Sequence, residues 1–239
     1  MIDVHSHVLP GLDDGSQSSE ESRQLLEESA RQGVTHIAAT PHFYAAQESF
    51  DRFLEKREKA LTKVLEKREG WAETPKLFVG AEVYYFPGMG KADRLKELCY
   101  KDTDLILLEM PFAQWDDQVV RDVENIIQKQ KLNVILAHIE RYYEFQKKKA
   151  FWDEVFDMPV IPQMNTGAFL GKRKRLCIKL MKKYGPTLLG SDCHNPIHRA
   201  PNLAAGREVI EKKFGQGMLE RIDEMSQRIL TGREGIGIY

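Results

Sequence analysis

The sequence predicts an α/β fold, a distorted seven-stranded (β/α)7 barrel formed by a single domain spanning residues 1–239. Short apolar runs alternate with amphipathic stretches along the whole chain, which is typical of βα units around a parallel sheet. The length of 239 residues suits one barrel, since such domains often have roughly 200–250 residues. No Ser/Gly-rich linker divides the chain. An open doubly wound sheet is the alternative, but closure into a barrel removes exposed sheet edges.

Seven apolar runs are the predicted strands. They cover residues 2–7, 35–39, 77–82, 104–109, 133–138, 160–165 and 187–191. The amphipathic stretches between and after them predict helices at 18–32, 49–69, 91–98, 118–130, 144–155, 172–184, 203–214 and 218–230. Ser18 and Glu21 have the spacing of a capping box at the start of the first helix. Gly33 stands where a glycine commonly ends a helix.

Composition restricts the class of protein. The formal net charge of −1 argues against a general binder of nucleic acids or membrane surfaces, which would carry a basic excess. Three cysteines, Cys99, Cys177 and Cys193, form no CxxC motif, so we expect no disulfide framework and a reducing compartment. We find neither a signal-peptide pattern nor an apolar run of about 18–20 residues, and we therefore expect a cytoplasmic protein.

Six of the seven predicted strands end in, or are followed by, a side chain that binds metals. These residues are His5, His7, His42, Glu82, Glu109, His138, Asp192 and His194. The carboxyl ends of parallel barrel strands share one face, where active sites are built. Residues two apart on a strand face the same side, so His5 and His7 can reach one ion. A carboxylate beside a buried strand is costly unless it is paired or metal-bound. We therefore predict a clustered metal site.

The ligand types narrow the metal. Imidazoles and carboxylates without a thiolate favour Mn²⁺, Fe or Zn²⁺. Several carboxylates favour more than one ion, an arrangement suited to hydrolysing phosphate esters. Two histidines do not fit the pattern. His36 begins its strand at the opposite end of the barrel and is interpreted as structural or exposed, while His198 follows Asn195-Pro196 on a loop near the site.

Six motifs together resemble the polymerase and histidinol phosphatase (PHP) family. They occupy residues 3–7, 9–15, 40–42, 80–82, 138–141 and 190–194, and the resemblance covers essentially the whole chain. Within that family, the opening motifs are similar to those of the bacterial manganese-dependent tyrosine-protein phosphatases of capsular and exopolysaccharide biosynthesis. None of the motifs is specific by itself.

The resemblance implies a barrel of PHP type that binds two or three Mn²⁺ ions, with Fe or Zn²⁺ as alternatives in the same site. It implies three ligand groups: His5, His7, Glu82 and Asp192; Glu82, Glu109 and His138; and Asp14, His42 and His194. Glu82 would bridge the first two groups. Taken alone, Asp14 has the pattern of a turn residue before Gly15, which is the common role of Asp-Gly.

Two arginines follow ligands closely enough to reach the barrel mouth. Arg141 lies three residues after His138, and Arg199 lies seven residues after Asp192. A guanidinium binds phosphate bidentately, and the resemblance implies this catalytic role for both arginines. The alternative is a solvated surface arginine.

Aromatic residues also cluster after the ligands. They are Phe43, Tyr44, Tyr84, Tyr85, Phe86, Phe112, Trp115, Tyr142 and Tyr143. An aromatic rim suits an aryl phosphate better than a sugar phosphate, whereas the alternative for each residue is packing that anchors its loop.

The expected function is hydrolysis of phosphotyrosine by in-line attack of water, without a covalent enzyme intermediate. The resemblance implies a bacterial tyrosine kinase with a tyrosine-rich tail as partner, and it leaves the oligomeric state open. Histidinol phosphate or another small phosphate ester is the alternative substrate. A binding protein with a vestigial site is a further alternative, although the full ligand set argues against it.

Cys193 and Arg199 have the Cys-x5-Arg spacing of thiolate phosphatases. The intervening loop contains no glycine to let backbone amides surround a phosphate, and Pro196 removes one amide donor. Strand alternation would also direct Cys193 away from Asp192 and His194. We therefore do not expect a cysteine-based mechanism.

Overall fold

A computed structural model describes residues 1–230. The predicted domain of 1–239 thus includes residues 231–239, which lie outside the described residues. The strands are β1 Ile2–Ser6, β2 His36–Ala39, β3 His42–Phe43, β4 Lys76–Val79, β5 Glu82–Tyr84, β6 Leu105–Glu109, β7 Asn133–Leu136, β8 Ile161–Asn165 and β9 Leu188–Gly190. The helices are α1 Ser19–Arg31, α2 Phe50–Arg68, α3 Asp117–Gln128, α4 Lys149–Asp157, α5 Lys174–Tyr184, α6 Leu203–Phe214 and α7 Gln216–Leu230. None of the helices within 1–230 combines the length and apolar character needed to cross a membrane.

The strands form a mixed α/β fold around a curled parallel sheet. Hydrogen bonds join them in the orders β1-β2-β4 and β3-β5-β6-β7-β8-β9, and every pairing is parallel. The chain after β9 runs beside β1, because the Asp192 amide donates to the His5 carbonyl at 2.8 Å and the His7 amide donates to the Cys193 carbonyl at 2.9 Å. The end of the sheet therefore returns to its beginning.

The described residues contain nine strands where seven were predicted. The predicted strand 35–39 is followed by a separate short strand, β3, and the predicted strand 77–82 is divided into β4 and β5. Pro41 explains the first interruption, because proline has no amide hydrogen to donate to a ladder. Beyond the interruptions, β3 pairs with β5 so that His42 lies opposite Glu82.

Two predicted helices differ from the structure. The stretch 91–98 forms two short 3₁₀ turns, Met89–Lys91 and Leu95–Leu98. The Asp122 carboxylate accepts from the Gly88 and Gly90 amides at 2.9 and 3.3 Å, and these hydrogen bonds hold the turn just before the predicted helix. The predicted helix 144–155 instead begins at Lys149, after a 3₁₀ turn at Tyr143–Phe145.

The predicted boundaries of α1 are confirmed in most details. The Ser18 hydroxyl accepts from the Glu21 amide at 3.2 Å, as a capping residue does. The Glu21 carboxylate, however, accepts from the amide of Gln17 at 2.7 Å rather than from that of Ser18, so the reciprocal half of the capping box is shifted by one residue. Gly33 follows the helix with φ +85°, the left-handed conformation expected of a terminal glycine.

Hydrophobic packing places the site at one end of the sheet. A large core cluster joins the helices to one face of the strands, with Ile106 and Leu108 as its members from β6. Leu105 and Leu107 belong to a smaller cluster that takes residues from six strands and also includes Leu230 of α7. Because side chains alternate along a strand, this smaller cluster lies on the inner face of the curl. Glu109 follows Leu107 by two residues, so the site lies directly beyond this apolar cluster.

Candidate metal centre

All eight predicted strand-end ligands converge on one pocket. The densest group joins His5 and His7, from β1 and the residue after it, with Glu82 and Asp192. The His5 Nε2 lies 3.0 Å from Glu82 Oε2 and 3.2 Å from His7 Nε2, while His7 Nε2 lies 3.4 Å from Asp192 Oδ1. Four ligands held about 2.1 Å from a tetrahedral ion are about 3.4 Å apart. The observed spacing therefore fits one ion.

The Glu82 carboxylate also contacts a second group of ligand candidates. Its Oε1 lies 2.7 Å from His138 Nε2, and its Oε2 lies 3.0 Å from His42 Nδ1. Glu109 completes this group at 3.3 Å from His138 Nε2 and 3.9 Å from His42 Nδ1. A carboxylate with its two oxygens directed at neighbouring ligand groups has the arrangement needed to bridge two ions.

A third group contains His7, His42 and His194, whose ligand atoms lie within 4.8 Å of one another. The Asp14 Oδ1 lies 3.3 Å from His194 Nε2 and 3.6 Å from His42 Nε2. The side chain of Asp14 is 67% exposed, whereas that of His194 is 1% exposed. Asp14 is thus adjacent to the group predicted for it, at the solvent side of the pocket.

Hydrogen bonds outside the pocket orient the imidazole rings. The Nδ1 of His7 lies 2.7 Å from the Asp13 carboxylate, and the Nδ1 of His5 lies 3.3 Å from the Gln163 side-chain oxygen. The Nδ1 of His194 lies 3.0 Å from the Asp192 carbonyl. A ring that donates from Nδ1 keeps the lone pair of Nε2 for a metal, so these contacts prepare three imidazoles as ligands.

Asp13, Gln163 and Asn165 are functional candidates that the sequence analysis missed. Strand β8 was the predicted strand without a ligand, and it instead supplies two amide side chains on one face. The Gln163 Oε1 accepts from the His138 amide at 2.6 Å, and its Nε2 donates to Asn165 Oδ1 at 3.0 Å. Asn165 then donates to Asp192 Oδ2 at 2.7 Å. Alternating amides at the end of a strand were the available signal.

The pocket contains buried polar atoms without hydrogen bonds. Among the described residues, His42 Nδ1, Glu82 Oε2 and His194 Nε2 are fully buried, lie near other polar atoms and form no hydrogen bond. Leaving such atoms unsatisfied costs about 1–3 kcal/mol each. A cation coordinated by these atoms would satisfy them, so the donor set fits a metal.

The charges of the pocket are mutually dependent. Burial favours the neutral form of Glu82, but the neighbouring imidazoles of His5, His138 and His42 hold its pKa well below the usual range. Burial opposes protonation of His138, yet Glu109 and Glu82 raise its pKa to about 9. The neighbouring carboxylates also raise the pKa values of His7 and His42, so in the metal-free chain protons on His7, His42 and His138 balance the carboxylates. Cations would replace these protons, so metal affinity should rise with pH.

Backbone strain coincides with two predicted ligands. His138 has φ +29° and Asp192 has φ +52°, in the left-handed region. Such conformations cost of order 1–3 kcal/mol for a non-glycine residue and are common at functional sites. Gly190 allows β9 to approach β1, because a Cβ there would lie 2.6 Å from the His5 Cβ.

Both predicted arginines meet at Asp192. The Nη2 atoms of Arg141 and Arg199 lie 2.7 and 2.8 Å from Asp192 Oδ2, while Oδ1 of the same carboxylate faces His5 and His7. The two arginine side chains are 32% and 36% exposed. They border a cavity of about 410 Å³ beside the ligand cluster. An anion bound next to the first group would therefore contact both guanidinium groups.

The predicted aromatic rim is only partly present. Phe43, Trp115 and Tyr142 are fully buried, so the alternative of packing that anchors the loop applies to these three residues. Phe112 is 38% exposed and stacks on His138 with ring centroids 6.0 Å apart. Tyr44 lies 5.2 Å from the ring of His42 and contacts Tyr84. Phe112, Tyr44 and Tyr84 thus border the ligand cluster.

His36, His198 and Cys193 lie where the sequence analysis placed them. His36 stacks on Phe78 near the amino-terminal end of β2, away from the ligand cluster. His198 lines the cavity beside Arg199. Cys193 is fully buried within the large hydrophobic core, and burial raises the pKa of its thiol to about 12. Its thiol is therefore protonated and inaccessible at neutral pH.

A family model, curated relatives and a solved structure all match this chain over most of its length. Residues 1–230 match the family model of capsular polysaccharide synthesis, CpsB/CapC. Tyrosine-protein phosphatase CpsB of Streptococcus pneumoniae is 31% identical over 229 residues, which cover 90% of this chain and 91% of that protein. Tyrosine-protein phosphatase YwqE of Bacillus subtilis (strain 168) is 28% identical over an alignment of 247 positions, which covers 98% of this chain and 92% of that protein. A solved structure from a study of YwqE and CpsB, described as unique metal-dependent tyrosine phosphatases, superposes with a TM-score of 0.81 at 22% identity. The superposition covers 100% of this chain and 97% of the other, and it shows the same fold.

Proposed function

This chain belongs to the capsular polysaccharide synthesis CpsB/CapC family, and we propose that it is a metal-dependent tyrosine-protein phosphatase. One observation carries the proposal beyond family membership. The Asp192 carboxylate faces the ligand group of His5 and His7 with one oxygen and both arginines with the other. A phosphate ester bound there would contact cationic side chains and the metal ligand cluster at once.

The proposed ligand assignment follows the three groups in the pocket. His5, His7, Glu82 and Asp192 would hold one ion, and Glu82, Glu109 and His138 would hold a second. Asp14, His42 and His194 would hold a third. Mixed imidazole and carboxylate donors suit Mn²⁺, with Fe or Zn²⁺ as alternatives. We also assign the fold to the seven-stranded PHP barrel, in which β2 with β3, and β4 with β5, each count as one interrupted strand.

The residues of the chain have distinct parts in the proposed reaction. When bound, the ions supply Lewis acidity, which lowers the pKa of water and neutralises negative charge. Arg141 and Arg199 bind the phosphoryl oxygens and stabilise charge in the transition state. Phe112, Tyr44 and Tyr84 border the place of the aryl leaving group. Water attacks phosphorus in line, the bond between phosphorus and the tyrosine oxygen breaks, and inorganic phosphate and the tyrosine phenol are released. The buried Cys193 thiol takes no part in the reaction.

The proposed physiological substrate is phosphotyrosine in the tyrosine-rich tail of a bacterial tyrosine kinase. This kinase would control capsule or exopolysaccharide synthesis. The family membership supports the link to capsule synthesis. A flexible tail also suits a site whose flanking arginines are about one-third exposed.

The test combines elemental analysis with metal removal. The purified chain should contain transition metal, lose phosphotyrosine hydrolysis on chelation and regain it when Mn²⁺ is added back. Phosphoserine peptides and histidinol phosphate, assayed in parallel, measure selectivity. Full hydrolysis by metal-free protein would overturn the proposal, and faster turnover of histidinol phosphate would replace the proposed substrate with a small ester.

A further inference from the structure

The cavity beside Asp192 is more cationic than binding one phosphate requires. It lies among the loops that follow β7, β8 and β9, and its lining includes four cationic residues: Arg141, Lys172, Arg173 and Arg199. Asp192 already pairs with two of them, at the edge shared with the metal ligands. Lys172 and Arg173 are therefore additional cationic residues of the lining that do not pair with Asp192.

The two acids that line the cavity, Glu140 and Asp192, form no ion pair with Lys172 or Arg173 within residues 1–230. Lys172 and Arg173 are exposed and begin a run of four cations at 172–175. Within residues 1–230, Lys172 forms no ion pair, and Arg173 has one contact at 3.4 Å, to the exposed carboxylate of Glu144. This local excess occurs in a chain with a formal net charge of −1. A concentrated basic surface beside a proposed active site attracts and orients anionic ligands.

Exposed apolar side chains border the same end of the molecule. Within the described part of the chain, the exposed large hydrophobic residues are Phe112, Phe145, Leu170 and Ile197. Each lies on the loop that follows one of the strands β6 to β9. Leu170 and Ile197 directly precede the cavity-lining Gly171 and His198, and Phe112 stacks on His138. Single exposed apolar residues are common. These four, however, all lie on loops at the end of the sheet that carries the proposed site, as in a surface that binds a polypeptide.

We propose that the loops after β6 to β9 dock the polypeptide around the phosphotyrosine, and that the cavity lined by Lys172 and Arg173 binds a second anionic side chain of that polypeptide. The anion is a carboxylate or another phosphate, since both complement this cavity. The inference rests on the proposed phosphatase function. It defines the substrate class as acidic or multiply phosphorylated segments that also carry apolar residues.

The experiment measures kcat and KM of the Mn²⁺-loaded full chain on a panel of phosphotyrosine peptides. Each peptide carries Ala, Glu or a second phosphotyrosine at one of three positions on either side of the reacting residue. For at least one position, we expect an anionic neighbour to lower KM about fivefold with little change in kcat, because a contact remote from phosphorus stabilises ground and transition states alike.

A pair of charge-reversal variants distinguishes the cavity from general attraction. Lys172→Glu combined with Arg173→Glu should abolish the preference for anionic neighbours. Lys182→Glu combined with Lys213→Glu is the matched control, because these exposed lysines lie on α5 and α6 outside the cavity. The control has the same net charge as the first variant and should keep the wild-type preference.

Three outcomes would overturn one of the proposals, and two others identify the bound anion. Equal KM values for all wild-type peptides would overturn the inference and leave the phosphatase function standing. Equal loss of preference in both double variants would also overturn it, in favour of long-range attraction. Failure to hydrolyse any phosphotyrosine peptide would overturn the proposed function itself. A larger effect of phosphotyrosine than of Glu would identify the second group as phosphate, and equal effects would identify a carboxylate-sized charge.

The apolar part of the surface has its own readout. Leu170→Ser combined with Ile197→Ser should raise KM about threefold for the full-length peptides. The increase should diminish as the peptides are shortened towards free phosphotyrosine, because shorter substrates no longer reach these side chains. An increase independent of peptide length would contradict apolar docking.

Discussion

The floor of the proposed site, formed by the ligand candidates, and its rim, formed by exposed loop residues, differ in burial and in polar contacts. The floor comprises the eight strand-end ligand candidates, and its His5, His138 and Glu82 side chains are fully buried and contact several polar partners. The rim comprises Phe112, Phe145, Leu170, Lys172, Arg173 and Ile197. Ile197 is 81% exposed, and the Lys172 side chain has no ionic partner within residues 1–230. From this difference we expect the floor to determine the chemistry and the rim to select the substrate.

The largest expected effect tests the floor directly. Asp192→Ala, like His42→Ala, should reduce phosphotyrosine turnover by about a thousandfold or more, because it removes a metal ligand candidate. Elemental analysis should show less bound metal, while circular dichroism shows an intact fold. His36→Ala, at the opposite end of the sheet, is the control and should remain active. Unchanged turnover in both floor variants would refute the assignment.

Arg141 and Arg199 lie between floor and rim and should have the next largest effect. Replacing either arginine with alanine should lower kcat/KM about a hundredfold, because a charged donor to the phosphoryl oxygens is lost. Metal content should stay unchanged, which separates this effect from ligand loss. Arg→Lys at the same positions should recover only part of the rate. Wild-type rates in both alanine variants would place these residues with the solvated rim.

A smaller effect is expected one layer outside the floor. The Asp13 carboxylate accepts from His7 at 2.7 Å and from the His42 amide at 2.8 Å. Asp13→Asn should weaken metal affinity about tenfold, because second-layer partners orient the ligands and raise their basicity. Excess Mn²⁺ should restore much of the activity, as titration monitored by turnover would show. A rate defect that saturating metal does not relieve would contradict this role.

Phe112 measures how strongly the rim contributes. Phe112→Ser should raise KM for aryl phosphates about threefold through loss of an aromatic contact. Alkyl phosphates should be less affected, so the ratio of the two KM changes is the informative quantity. Equal increases for both substrate types would show that Phe112 supports His138 instead of contacting the leaving group.

The smallest effect is expected at Cys193, which adjoins the floor in sequence but packs into the core. Cys193→Ser should leave metal-dependent turnover within about twofold of wild type, since the buried thiol is protonated. The free energy of unfolding should fall by about 1–3 kcal/mol, because a hydroxyl replaces an apolar thiol in the core. An inactive variant that keeps its metal and fold would favour the thiolate mechanism.

Much of the floor was predictable because each ligand candidate ends or follows an apolar run. His5 lies near the end of β1, Glu109 ends β6 and His138 follows β7, and parallel strands that curl bring such ends together. The roles of Asp13 and Gln163 were not predictable in this way. Asp13 contacts His7 only because of the turn that lies between them. Gln163 contacts His138, which is distant from it in the sequence.

The rim was predicted less well. Trp115 and Tyr142 follow ligands in the sequence, yet both are fully buried, while the exposed Phe145 and Ile197 were not identified. Strand periodicity specifies which face a side chain occupies, but loops have no such period. The direction of a loop residue therefore depends on packing against neighbouring loops.

The sequence by itself determined the parallel α/β architecture, the end of the sheet that carries the chemistry and the donor types gathered there. These features follow from local periodicity and from the position of polar residues relative to apolar runs. Only the tertiary structure decided which atoms face one another: the sharing of Glu82, the meeting of Arg141 and Arg199 at Asp192, and the cationic cavity beside them. Such juxtapositions depend on curl, strand interruptions and loop packing between distant segments, which local patterns do not encode.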